Sequence, residues 1–144
     1  MKRVLALITL SVLLLFLSCC SGSDKQRFYG TYTFEKVSYL SPLSSSTADY
    51  INDKMAGTKY TIEADLFKIE SAADTFEIIS PNYIKEKIKG DSSPLPDIKY
   101  QYTIHNRDGG KTNLRLYASS DCLYIASYVD NTADGSEIIM SIYK

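Results

Sequence analysis

His105 and Asp108 lie three residues apart beside a glycine pair, a spacing that would let a carboxylate orient a general base. His105 is the chain's single histidine, and it falls on the polar phase of an alternating stretch next to a turn. No Gly-x-Ser-x-Gly elbow is present and the serines concentrate in loops, so no nucleophile completes the set. A solvated strand-end histidine is the better reading. Asp130-Asn131-Thr132-Ala133-Asp134-Gly135 places oxygen atoms at alternate positions with a glycine after the third, like the first half of an acidic calcium loop. Its twelfth position is Ser141 where the closing Glu belongs, and that position falls in a strand-like stretch, which favours a hairpin turn. The three cysteines are Cys19, Cys20 and Cys122, and no second group stands beside any of them to activate a thiol. No catalytic residue, cofactor site or metal site is assigned, and a non-enzymatic role is expected.

Contact chemistry is better represented. Twelve Tyr, five Phe and no Trp give large amphipathic surfaces, each Tyr with a hydroxyl suited to a wet boundary. Tyr100, Tyr102 and Tyr124 are candidate contacts for a ligand or partner, set against the commoner role of lining a core or cavity. Leu43 stands in the small polar run Ser41-Pro42-Leu43-Ser44-Ser45-Ser46, and Leu95 stands between Pro94 and Pro96 in the loop 91–97. Each is a candidate rim contact or the one buried anchor of a connector.

These residues are held by a β-rich pattern. In Phe28 to Leu40, Tyr32 and Phe34 alternate with Thr31, Thr33 and Glu35, and the phase is lost near Val37, as a bulge would require. A helix follows, capped by Ser46 or Thr47, with Ala48, Ile51 and Met55 on one face and Gly57 at its end. Strands are expected over 58–64, 66–70 and 75–79. Pro81-Asn82 then opens a short helical turn bearing Ile84 and Ile88. In the last third Ile98, Tyr100, Tyr102 and Ile104 alternate with polar residues, and three more strands, 112–117, 122–129 and 137–143, complete an antiparallel meander. Cys122 reads as a small buried hydrophobe at a strand start, or as the partner of Cys20 in a disulfide. About eight strands and one or two short helices fit the 117 residues from Phe28, as a mainly-β antiparallel barrel or a strongly curved sheet.

The N-terminus has the charge order of an export signal: Lys2 and Arg3, an apolar run from Val4 to Leu17, then Ser18 before Cys19. It resembles the type II signal of bacterial lipoproteins. That resemblance implies cleavage after residue 18 and a lipid on Cys19, with Phe16 where Leu is usual; Cys20 as the anchor restores Leu17 to that place but puts Cys19 where a small residue is expected. It further implies a palmitate-type acyl anchor and export to a bacterial membrane, the outer membrane facing the periplasm or the cell surface. Residues 19–27 then form a tether and 28–144 a single domain. Gly30-Thr31-Tyr32 is similar to the Gly-x-Trp that opens lipocalins, with Tyr32 in the Trp place, while a helix after the first strand looks more like the cap of fatty-acid-binding barrels. These similarities imply a lipocalin-like barrel shape and carry over no binding residues.

Loss of Lys2 and Arg3 takes the formal charge from −1 to −3, which excludes a basic nucleic-acid binder. The sequence therefore points to a membrane-tethered protein-binding module, with an envelope or host protein as partner, or alternatively to a carrier of a small apolar ligand.

Overall fold

The computed structural model describes residues 28–88, 95, 98, 100–119, 122–128 and 137–144. The signal segment, Cys19, Cys20, the tether and the turn at 130–135 lie outside the described residues, as does the loop 91–97 apart from Leu95. The elements are β1 (Gly30–Leu40), α1 (Ala48–Met55), β2 (Lys59–Ile62), β3 (Leu66–Glu70), β4 (Thr75–Ile79), β5 (Asn82–Lys87), β6 (Tyr100–His105), β7 (Lys111–Ala118), β8 (Leu123–Tyr128) and β9 (Glu137–Tyr143). All nine strands join one sheet in the order β4-β3-β2-β1-β9-β8-β7-β6-β5, every neighbour antiparallel. The result is a strongly curved half-barrel with a lipocalin-like curved-sheet architecture, built with one strand more than the eight expected.

The extra strand is β5, where the sequence pattern suggested a helical turn. It pairs with β6 from Asn82↔His105 to Lys87↔Tyr100. Ile84 and Ile88 are four residues apart, and that spacing puts two side chains on one face of a helix and equally on one face of a strand. Only Ile84 lies within the strand. Pairing with β6 decided between the two periods.

Two faces follow from the register. Tyr32, Tyr60, Ile69 and Phe76 form one row across β1 to β4, and Gly30, Ile62, Phe67 and Ile78 form the next. They share the concave side with Ile104, Leu114, Leu116, Leu123, Ile125, Ile138, Met140 and Ile142, covered by Phe28 and Ile51. On β1 the inward residues change from a spacing of two to a spacing of three, Phe34, Val37 and Leu40. Two register shifts against β9, between Phe34 and Lys36 and between Val37 and Tyr39, produce that change. The phase lost in the sequence is thus a pair of bulges that keeps apolar residues inward while the strand bends.

The convex face also carries a small core. Leu95 and Ile98 are buried against Tyr117, Ala126 and Ile139, with Tyr39, Ile88 and Tyr124 packed around them. Thr103, on the polar phase of β6, is fully buried on this side and donates to Glu86 Oε2 at 3.0 Å. Cys122 departs from its expectation as a buried hydrophobe: it is exposed and precedes β8, its N–H donating to Ser119 Oγ at 2.9 Å.

The edge strands β4 and β5 are consecutive in the chain, separated by Ser80 and Pro81. Three residue steps span about 10 Å at most, so the sheet must curl until its two edges meet at this link. Ser80 sits there with φ 51°, left-handed for a non-glycine residue that also precedes a proline. Its N–H donates to Asp65 O at 2.7 Å, which holds the kink. At the start of β1, Gly30 has φ 154°, and a Cβ there would lie 2.9 Å from Lys144 Cε. The Lys144 ammonium reaches over the Tyr32 ring at 5.4 Å, so the last residue clasps the first strand.

Candidate functional site

The concave face is apolar and continuous, and a half-barrel of this kind is an architecture compatible with a small hydrophobic ligand. Within it two polar atoms stand out. Thr58 and Tyr60 are both fully buried, and Thr58 Oγ1 and Tyr60 Oη have no hydrogen-bond partner. They are two residues apart in an extended segment, Thr58 continuing the β1–β2 pairing through a bond from Phe34 N–H to Thr58 O at 2.8 Å. Alternation therefore sends both side chains to the same side. Burial without a partner disfavours the phenolate and pushes the Tyr60 hydroxyl well above the ordinary tyrosine range.

Helix α1 leads directly into this place. Thr47 caps it, its Oγ1 accepting from Tyr50 N–H at 3.3 Å, and Asp49 in the first turn suits the helix dipole. Ile51 is buried in the concave core and Met55 packs against it. The helix lies against β1, with Asn52 Oδ1 accepting from Val37 N–H at 2.8 Å. Gly57, with φ 76°, reverses the chain straight into Thr58, whose N–H donates to Met55 O at 3.0 Å. The expected cap, apolar face and glycine stop are therefore all present.

Exposure rises along the row that contains Tyr60. Tyr60 touches no water, Ile69 beside it is half-buried, and Phe76 on the edge strand β4 is 47% exposed. The concave face is thus closed at Tyr60 and open towards the β4 edge. At the other end, Phe28 sits edge-on to Tyr102 with ring centroids 4.7 Å apart and to Tyr83 and Tyr29 at 5.3 Å, while Tyr32 Oη donates to Phe28 O at 2.7 Å. Tyr83 Oη donates to Glu63 O at 3.0 Å, and burial first, then nearby acidic groups, raises its pKa. Beside the β4 edge an open groove of about 610 Å³ is lined by Glu77, Ile78, Ile79, Asn106, Arg107 and Asp108.

The sequence-nominated contacts do not converge. Tyr102 joins the concave aromatic group, whereas Tyr124 packs around the convex core. Tyr100 is 42% exposed, its ring beneath the Lys85 ammonium at 4.2 Å. Leu43 is 65% exposed in its loop, while Leu95 is a buried anchor. His105 Nδ1 lies 3.0 Å from Gly109 O, and Asp108 Oδ1 accepts from Gly110 N–H at 3.0 Å, so both are engaged with the backbone of one turn. Among the described residues no cluster of His, Cys, Asp or Glu is arranged to hold a metal, and no helix is long and apolar enough to cross a membrane.

Sequence reasoning passed over Thr58 and Tyr60. Tyr60 alternates with Ile62 like any strand residue, and nothing in the local sequence shows that its hydroxyl is left without a partner. Comparison of the chain with family models, with curated proteins and with solved structures finds no match in any of the three.

Proposed function

We propose that this is an exported, lipid-anchored bacterial lipoprotein whose half-barrel carries a small apolar ligand and performs no chemistry on it. The observation that supports the carrier reading is the continuous apolar concave face holding two unpartnered hydroxyls, Thr58 Oγ1 and Tyr60 Oη. A purely structural core gains nothing from them, because a buried hydroxyl without a bond costs about 1–3 kcal/mol. The lipoprotein part rests on the N-terminal signal with Cys19 as acyl acceptor. Several acyl chains would hold the domain at the membrane, where an apolar ligand partitions.

The test is native mass spectrometry and organic extraction of the full chain purified from a bacterial host. A non-covalent lipid at near-stoichiometric amount is expected, displaceable by an apolar fluorescent probe. Absence of both adduct and probe binding refutes the carrier reading.

A protein-binding role is the second reading. Phe76 and Ile79 are large apolar residues exposed on the edge strand β4, and Leu43 is exposed in the loop before α1. An unpaired edge offers main-chain bonds to an extended partner segment. Capture of an envelope protein that is lost on Ile79→Lys would support this reading.

A further inference from the structure

We infer that Thr58 and Tyr60 form the anchor for the head of the ligand, and that this head is an uncharged hydrogen-bonding group, such as the hydroxyl of a long-chain alcohol, rather than a carboxylate. The inference rests on the carrier reading and deepens it. A hydroxyl both donates and accepts, so each of these two unpartnered groups on one side of the strand can bond a ligand hydroxyl or carbonyl. The buried polar residues among those described are Ser41, Thr58, Thr103 and Ser141, with no charged side chain. A carboxylate brought to Tyr60 would meet no buried cation, and an unpaired charge in such surroundings is far costlier than a neutral head. The Lys144 ammonium lies over the ring of Tyr32, the cross-strand partner of Tyr60, at 5.4 Å, but Lys144 is exposed and its charge stays with solvent rather than beside the fully buried Tyr60 hydroxyl.

The geometry also supplies the rest of the site. From the anchor the apolar surface runs outwards through Met55 and Ile69 to Phe76, and an alkyl chain laid along it stays on one side of the sheet. Tyr60 has no accessible surface, so a ligand head reaches the hydroxyls only when the packing around them opens; α1 lies against β1 and leads through Gly57, where no neighbour lies within 4 Å of a Cβ, directly into Thr58.

The experiment measures binding of 1-decanol and of decanoate at pH 8 by equilibrium dialysis to the full chain held in amphipol, for the wild type, Tyr60→Phe and Thr58→Val, with displacement of an apolar fluorescent probe in parallel. The expected result is decanol bound at least tenfold tighter than decanoate, a fivefold or greater loss of decanol affinity in each variant, and unchanged probe binding. Retained probe binding with decanol affinity unmoved by either variant, with decanoate favoured, or with no decanol binding overturns the anchor while leaving the carrier reading standing. Loss of probe binding in the wild type as well sinks both. Circular dichroism confirms that the variants are folded, and both substitutions keep the side-chain shape.

Discussion

Replacing Tyr60 by Phe removes one oxygen from the concave core and should stabilise the ligand-free protein. The hydroxyl is fully buried and has no partner, so the folded state carries its desolvation without a compensating bond. That cost is about 1–3 kcal/mol. Against it stand the contacts of a single oxygen atom, at about 0.1–0.2 kcal/mol each and together about 0.5 kcal/mol. The ring keeps its place against Tyr32 and Ile69 in either case. The net expectation is a gain of about 1 kcal/mol, or about 4 °C in Tm for a domain near 100 residues. Urea unfolding of ligand-free wild type and variant reads the difference, with an unchanged m-value showing that the two states compared are the same. A loss of about 1 kcal/mol would refute the reasoning, because it would mean that the hydroxyl is bonded in the native state by a buried water. Combining it with Thr58→Val sharpens the test. Independent orphans give effects that add to within about 0.5 kcal/mol, whereas hydroxyls sharing one water show coupling beyond that.

At the kink between β4 and β5, Ser80→Val should cost about 2 kcal/mol in urea unfolding, since a β-branched residue at φ 51° is strained, while Ser80→Gly should change stability by no more than about 0.5 kcal/mol. The Glu86 carboxyl is held below its ordinary value, first by the bond from Gln101 Nε2 at 2.9 Å and then by that from Thr103 Oγ1 at 3.0 Å. Its folded pKa is depressed, so its contribution is present above the ordinary value of 4.5 and is lost as pH falls below it; Glu86→Gln should flatten the acid limb of the stability profile. In alkali the sign reverses: Tyr60 and Tyr83 are raised by burial above the ordinary value of 10.0, so stability should fall as pH rises past 10.0, and ultraviolet titration should show these two ionising only with unfolding. Cys19→Ala should abolish incorporation of labelled palmitate and release the protein from the membrane fraction, and unchanged labelling would move the anchor to Cys20.

The parts of this fold that were legible are those with a strong local period or a local stop. Thr47, Ile51, Met55 and Gly57 mark α1 because capping, a spacing of four and a left-handed stop are all local requirements. The bulges in β1 were legible for the same reason: the inward spacing changes inside one strand. What stayed hidden depends on partners distant in the chain. Ile84 and Ile88 fit two periods, and the choice was made by β6, which begins only at Tyr100. The burial of Thr103 required Glu86 across the ladder, and the convex core required Leu95 and Ile98 to fold back over β7, β8 and β9. The candidate anchor was the least legible part. An orphan hydroxyl is defined by what fails to reach it, and no window of sequence carries that information.

The opening in the sheet has a cause in chain direction rather than in weak side chains. Tracing the ladders, β3 runs opposite to β4, and β6 runs opposite to β5; through β2, β1, β9, β8 and β7 the alternation makes β4 and β5 parallel. Two parallel strands can lie side by side only when a crossover of a dozen or more residues joins them. Here Ser80 and Pro81 are the whole connection, so β5 continues the line of β4 and cannot flank it. One bent strand leaves β3 and takes up β6, and among the described residues no strand fills the side of β4 turned away from β3. The groove beside Glu77, Ile78 and Ile79 is the consequence, with the turn at Asn106 to Asp108 lying where a ladder would have continued. No single side-chain substitution can close that edge. The exposure of the concave row at Phe76 is therefore built into the topology, and on the proposed carrier reading selectivity would come from the hydroxyls of Thr58 and Tyr60 behind it.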